Sequence, residues 1–242
     1  MYAIETVNLT KKYGDYVAVD KLNLQIEKGE LFALLGVNGA GKTTAIKMLS
    51  CLTSPTDGDA FVHGNSITTN YANVKKIISV SPQETAIAPN LTVKENLEMM
   101  CQIYGLRKYE VEEKVNEITE QFSLADVLHS KSSKLSGGWK RKLSIAMSLI
   151  GNPSVLYLDE PTLGLDVIAR GELWDLIKSM KGSVTIILTT HYLEEAEALS
   201  DRIGIMRDGK LLVVGSASEL MQLTSTDRFE NAFISIVKEK SL

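Results

Sequence analysis

The stretch that most restricts this chain is LFALLGVNGAGKTTAIKML, Leu31 to Leu49. The run Leu31 to Leu35 is apolar throughout, as expected of a strand covered on both faces. From Gly36 the residues fit G-x-x-x-x-G-K-[ST], and helical sequence follows from Lys42 to Leu49. Between a buried strand and a helix, that spacing is a phosphate-binding loop. Gly36, Val37, Asn38, Gly39 and Ala40 form the loop, and Gly41 leads into Lys42, Thr43 and Thr44. Gly39 and Gly41 permit backbone angles that aim successive N–H groups at one point, and the helix N-terminus adds positive potential. Lys42 is placed to reach the outer phosphates of a nucleotide, and the Thr43 hydroxyl to ligate Mg²⁺.

Flanking patterns complete an α/β plan. YAIETVNL, YVAVD and LNLQIE alternate apolar and polar residues, predicting short, half-exposed antiparallel strands. DAFVHGNSI and KIISVS supply two more. Residues 91–150 then read as helices. Thr92 and Glu95 form a capping box ahead of Leu97, Met100, Cys101 and Tyr104 at helical spacing, and Gly105 ends the run. Val111, Val115, Ile118 and Phe122 make one apolar stripe on a charged helix, a core face. SVLYLDE and VTIILTTH are buried strands separated by the helix VIARGELWDLIKSM. A helix around LEEAEAL follows, and IGIMRDGKLLVVG is a hairpin turning at Asp208-Gly209. The expected fold is α/β, with a mostly parallel sheet that gathers ligands at its strand C-terminal ends. One domain is expected over residues 1–220, with a β portion and core from 1–90 and 151–215 and a helical insert at about 91–150. The tail, 216–242, reads as two short amphipathic helices.

Three strand ends carry chemistry. Asp159 and Glu160 close VLYLDEP, where Asp159 would hold Mg²⁺ through a water and Glu160 would take or polarise the proton of an attacking water. His191 ends VTIILTTH and should reach a γ-phosphate. Gln83, in SVSPQETA, is suited to touch Mg²⁺ or water and to report nucleotide state to the helical insert. Cys51 and Cys101 have no CxxC spacing and read as small buried apolar residues rather than a disulfide or metal pair. A net charge of −4 argues against a dedicated nucleic-acid surface. No apolar run approaches the ~18 residues needed to cross a bilayer, and MYAIETVNLTKKYG lacks the pattern of a signal peptide. A role at a membrane would require another subunit to do the crossing.

A further helix opens oddly. In KLSGGWKRKLSIA, Lys134 to Ala146, Ser136 is a good N-cap, but two glycines follow before the basic run Lys140, Arg141, Lys142. Glycine inside a helix costs about 1 kcal/mol relative to alanine, so something must closely approach this backbone.

The order of KYG with Tyr13, GVNGAGKTT, the Gln83 loop, LSGG at 135–138, VLYLDEP, LGLD at 163–166 and His191 resembles that of the ABC-type ATPases, over essentially the whole chain. LSGG is the most specific element, since other P-loop proteins lack it. The resemblance implies a P-loop NTPase (RecA-like) core that binds ATP and Mg²⁺. It implies that Ser136 and the amides of Gly137 and Gly138 grip the γ-phosphate of a nucleotide held by a second ABC ATPase chain, identical or different. Tyr13 resembles the aromatic residue that stacks on adenine, with Val19 beside it, and Asp166 resembles the residue linking the two sites across the dimer. Lys42, Glu160 and His191 would carry catalysis, and Thr43, Gln83 and Asp159 the metal. The chain departs from the pattern at Trp139, where many members have glutamine, and at Val167, where proline often follows GLD.

Around LSGG, VLYLDEP and TTHYLEEAEAL the sequence looks like the exporter branch called ABC type 2, similar also to the eukaryotic A subfamily. That branch implies an ATP-hydrolysing subunit driving separate transmembrane subunits, peripheral on the cytoplasmic face of a bacterial plasma membrane. The docking groove is expected at about residues 84–108. A soluble ABC ATPase working on nucleic acid, ribosomes or cofactor assembly is the alternative. The single cassette, compact insert and acidic balance count against it. A P-loop kinase or GTPase is a third reading, opposed by LSGG and by the lack of an NKxD-like guanine reader.

Overall fold

The structure, a computed structural model, describes residues 2–239. Strands β1 (Tyr2–Tyr13) and β2 (Tyr16–Glu27) form an antiparallel hairpin. β3 (Leu31–Leu35) leads into α1 (Lys42–Leu49), and β4 (Asp57–Val62) and β5 (Asn65–Ser66) then complete a four-stranded sheet in the order β2-β1-β4-β5. The sequence divides the second strand into YVAVD and LNLQIE, whereas the structure makes it one strand with a bulge. Asn8 and Lys21 take left-handed φ values of 49° and 46°, and the pairing shifts register between Thr6 and Leu9 and again before Lys11. The Thr10 hydroxyl takes the Lys21 N–H at 3.0 Å, repairing the interrupted ladder.

A short helix that periodicity does not predict, α2 (Tyr71–Ile77), precedes β6 (Ile78–Ser81). It buries only Val74, too little for an apolar stripe. Next come α3 (Val93–Ile103), α4 (Lys108–Gln121) and α5 (Gly137–Leu149), then β7 (Val155–Asp159), α6 (Val167–Ser179), β8 (Thr185–Thr190) and α7 (Leu193–Leu199). The Thr92–Glu95 capping box opens α3, and Val115, Ile118 and Phe122 are buried as their spacing predicts. The hairpin β9 (Arg202–Arg207) and β10 (Lys210–Gly215) and the helices α8 (Ala217–Leu223) and α9 (Phe229–Glu239) close the chain.

The second sheet runs β10-β9-β3-β8-β7-β6, parallel except for the β9–β10 hairpin. Its central strands alternate between two cores. Leu31, Ala33 and Leu35 face the helices of one cluster, while Phe32 and Leu34 join α1 and the antiparallel sheet in the other. The register places Leu35 beside Thr190, Thr189 beside Asp159, and Leu158 beside Ser81. Gly36, His191, Glu160 and Pro82–Gln83 therefore leave the sheet along one edge. That edge is the site.

Candidate functional site

The cleft at this edge has a volume of about 420 Å³, within the range of small-molecule sites. Tyr16, Ala18, Asn38 to Thr44, Gln83, Glu160, Leu163 and His191 line it. The loop's geometry depends on glycine at Gly41, which has φ 101°. A Cβ there would sit 2.4 Å from the Ala18 carbonyl oxygen, so the loop packs directly on the β1–β2 sheet.

Lys42 is only 5% exposed. Its Nζ donates to the Gly36 carbonyl at 2.7 Å and to Val37 at 3.2 Å, and lies 3.8 Å from Glu160 Oε1. Burial pushes its pKa down, and the charges of Glu160 and Asp159 oppose that shift. Glu160 Oε1 also lies 3.2 Å from His191 Nδ1, a buried nitrogen without an aligned hydrogen bond. Thr43 Oγ1 donates to Asp159 Oδ1 at 3.1 Å, and Thr189 bonds the same carboxylate oxygen. Hydroxyl and carboxylate together are hard oxygen donors suited to Mg²⁺, which keeps waters and substrate phosphates as its remaining ligands. No cluster of three or more His, Cys, Asp or Glu side chains able to hold a metal occurs among the described residues.

Glu160 stands in a left-handed conformation, φ 47°. Its N–H is held by the Thr189 carbonyl and hydroxyl, both at 3.1 Å. Such strain persists where the surroundings enforce it, and here it turns the carboxylate toward Lys42 and His191.

Two expected residues, Val19 and Tyr13, take other positions. The Val19 side chain is fully buried in the core, so the expectation that it flanks a base is corrected. It lies under the phosphate loop, and its neighbour Ala18 lines the cleft. The reason is strand alternation, which turns adjacent residues to opposite faces. Tyr13 is 51% exposed at the hairpin end, paired in register with Tyr16, and it is Tyr16 that lines the cleft. Gln83 and His191 do reach it.

Ser136, Gly137, Gly138 and Asp166 do not line the cleft. Ser136 caps α5 by accepting the Trp139 N–H, and Asp166 caps α6 through the N–H groups of Ile168 and Ala169, both at 2.9 Å. Gly138 also has a close neighbour within the chain, since a Cβ there would come 3.0 Å from Ala169 Cβ. α5 and α6 therefore touch where two side chains would crowd each other.

Sequence reasoning misses Thr189, Glu195 and Arg141. Glu195 is buried, its Oε1 taking Thr162 Oγ1 at 2.7 Å and Trp174 Nε1 at 3.2 Å. Arg141 sits within a basic run that gives no sign of burial, yet its place one helical turn before Ile145 aligns it with the buried face.

A parallel sheet delivering a glycine loop, a buried lysine and a hydroxyl–carboxylate pair to one edge defines a P-loop nucleotide-binding domain. Residues 19–163 match the family model described as ABC transporter, and the chain belongs to that family. It is 38% identical over 242 residues to the probable multidrug ABC transporter ATP-binding protein YbhF of Escherichia coli (strain K12), covering 98% of this chain and 42% of that protein. It is 43% identical over 208 residues to the phospholipid-transporting ATPase ABCA3 of Homo sapiens, covering 86% of this chain and 12% of that protein. The chain therefore spans less than half the length of either relative. Among solved structures, a dimeric post-hydrolysis state of the ATP-binding cassette MJ0796, bound to ADP and Pi, superposes with a TM-score of 0.78. That match is 26% identical and covers 88% of this chain and 98% of the other.

Proposed function

We propose that this chain binds MgATP in the Lys42 cleft and hydrolyses it as one of two ABC cassettes that close head to tail and drive separate transmembrane subunits. The observation that carries the reading is the buried Lys42 ammonium, held by the Gly36 and Val37 carbonyls and 3.8 Å from Glu160. A γ-phosphate entering beside it meets Lys42, His191 and the loop amides, with Glu160 placed to take a proton from water. Bound Mg²⁺ would be held by Thr43, Gln83 and, through water, Asp159, and supplies charge neutralisation at the phosphates. Tyr16 lines the cleft and pairs in register with Tyr13, which supports seating the base at this end of the hairpin.

Half of the machinery lies away from the cleft, at Ser136, Gly137 and Gly138, and this supports a second chain completing each site. The solved relative's dimeric state with ADP and Pi agrees with that arrangement. Likeness to a multidrug transporter component and to a phospholipid-transporting ATPase favours export, and the net charge of −4 argues against a nucleic-acid partner. No helix among the described residues is long and apolar enough to span a membrane. We place the chain on the cytoplasmic face and assign docking to residues 84–108, where Ile103 and Tyr104 are exposed at the end of α3.

Affinity purification from detergent-solubilised membranes, with identification of the co-purifying chains, tests the assignment. Transmembrane subunits are expected, and charged substitutions at Ile103 and Tyr104 should release them while basal hydrolysis continues. Recovery of RNA or ribosomal proteins instead would overturn the transport reading.

A further inference from the structure

Arg141 is 4% exposed, in the second turn of the helix whose N-terminus carries Ser136, Gly137 and Gly138. Its guanidinium donates to four main-chain carbonyls. Nε reaches Pro161 O at 2.8 Å, Nη2 reaches Asp159 O at 2.8 Å, and Nη1 bonds both Pro82 O and Gln83 O. Two of these carbonyls belong to the residues immediately before and after Glu160. The other two belong to Gln83 and the residue preceding it. A single side chain on α5 thus grips every segment that delivers a polar group from β6 and β7 to the cleft.

Arginine is suited to this task because its five N–H donors are fixed in one plane. Lysine presents a single point of charge on a flexible stem. The neighbours behave differently: Lys142 pairs with Glu172 at 2.7 Å and lies over the Trp139 ring. Arg141 forms no carboxylate pair among the described residues. Burying a cation against carbonyls, with the charges of Asp159 and Glu195 nearby but not paired with it, is an expensive way to gain stability. It is an effective way to hold a strained backbone, and Glu160, at φ 47°, is such a position between two gripped carbonyls.

We propose that Arg141 is a positioning residue that fixes Glu160 and locks the LSGG helix end to the Gln83 and Asp159–Glu160 segments of its own chain. The half-site that a chain offers to its partner then moves with the chemistry in its own cleft. The coupling part rests on the two-chain reading above. In a pair, each lock connects the two nucleotide sites, because the helix it holds faces the other chain's nucleotide. The sites should therefore bind and turn over cooperatively.

The test is Arg141→Lys, which keeps the charge and loses the fork. MgATP affinity, measured by titration with a fluorescent ATP analogue, should stay within about threefold, since the loop and Lys42 are untouched. At saturating ATP, kcat should fall about tenfold or more with KM little changed. The Hill coefficient for ATP should drop from above 1 in the wild type to about 1. A merely structural residue would lower the melting temperature and the active fraction without changing the Hill coefficient. Wild-type cooperativity in Arg141→Lys overturns the proposal. A wild-type Hill coefficient of 1, with no ATP-dependent dimer in Glu160→Gln, instead overturns the two-chain reading and the coupling with it. If Arg141→Lys does not fold, hydrogen exchange on wild-type protein decides. In protein too dilute to pair, MgATP should alter the exchange of the Trp139 to Leu143 amides, and unchanged exchange there overturns the lock.

Discussion

At the scale of single residues, Lys42 and Glu160 are mutually dependent. The ammonium is nearly enclosed and satisfied by two carbonyls and a nearby carboxylate, so a phosphate that enters replaces weak partners with a strong one. Lys42→Ala is expected to abolish nucleotide binding, read by titration with a fluorescent ATP analogue, and retained affinity would remove Lys42 from the site. Glu160→Gln preserves shape while removing the base. Phosphate release should slow about a hundredfold or more, whereas turnover near the wild-type rate would mean the proton goes elsewhere. Glu195 gives a pH prediction. Burial raises its pKa, against hydrogen bonds from Thr190, Thr162 and Trp174 and the charge of Arg141. A carboxyl with a raised folded pKa binds more protons when folded, so stability falls as pH climbs from the unfolded value of about 4.5 through the folded one. Glu195→Gln lacks that loss. Its melting temperature should gain on the wild type at pH 8, with the difference shrinking toward pH 4.5. A difference independent of pH would show that Glu195 is not the titrating group.

At the scale of elements, legibility followed periodicity. The phosphate loop, the α3 capping box and the α4 stripe each carry a local signal strong enough to survive without tertiary information, and the structure reproduces them. What was hidden depends on partners distant in sequence. α2 has one buried side chain, a bulge within the β1–β2 pairing breaks alternation, and Val19 is turned inward by a strand phase that YVAVD alone does not set. Arg141 was obscured by its own charge, because the four carbonyls it binds lie 18 to 59 residues away. The double glycine of α5 was legible only in part, since one approach to Gly138 comes from α6 of the same chain. That contact has a measurable consequence. Gly138→Ala should recover about 1 kcal/mol of helix propensity but lose about 1–3 kcal/mol to crowding against Ala169. The variant should melt lower than wild type, and the loss should diminish in an Ala169→Gly background. An equal cost in both backgrounds would mean that the Ala169 contact does not decide it.

At the scale of the whole molecule, β3 is the structural pivot. Its alternate residues serve two separate cores, and its end delivers the phosphate loop to an edge that already holds Asp159, Glu160 and His191. The same construction leaves Ser136 on the N-terminus of α5, outside the cleft, and Val167 and Ile168 78% and 76% exposed beside Asp166. Large apolar side chains at a helix start that also carries an Asp cap suit a surface that is covered part of the time. A second chain, turned head to tail, would cover it while bringing its own α5 end to this chain's nucleotide. Ser136→Arg tests this arrangement directly. The arginine side chain projects where a partner's γ-phosphate region would approach, but it lies away from this chain's own cleft. Nucleotide affinity of the dilute protomer should therefore stay near wild type, while steady-state hydrolysis falls by about tenfold or more. Placed on Glu160→Gln, the substitution should turn the dimer expected with MgATP on size-exclusion chromatography back into monomer. Unchanged hydrolysis in Ser136→Arg would mean that the cleft works alone, and the separation between the two half-sites would then have no catalytic meaning.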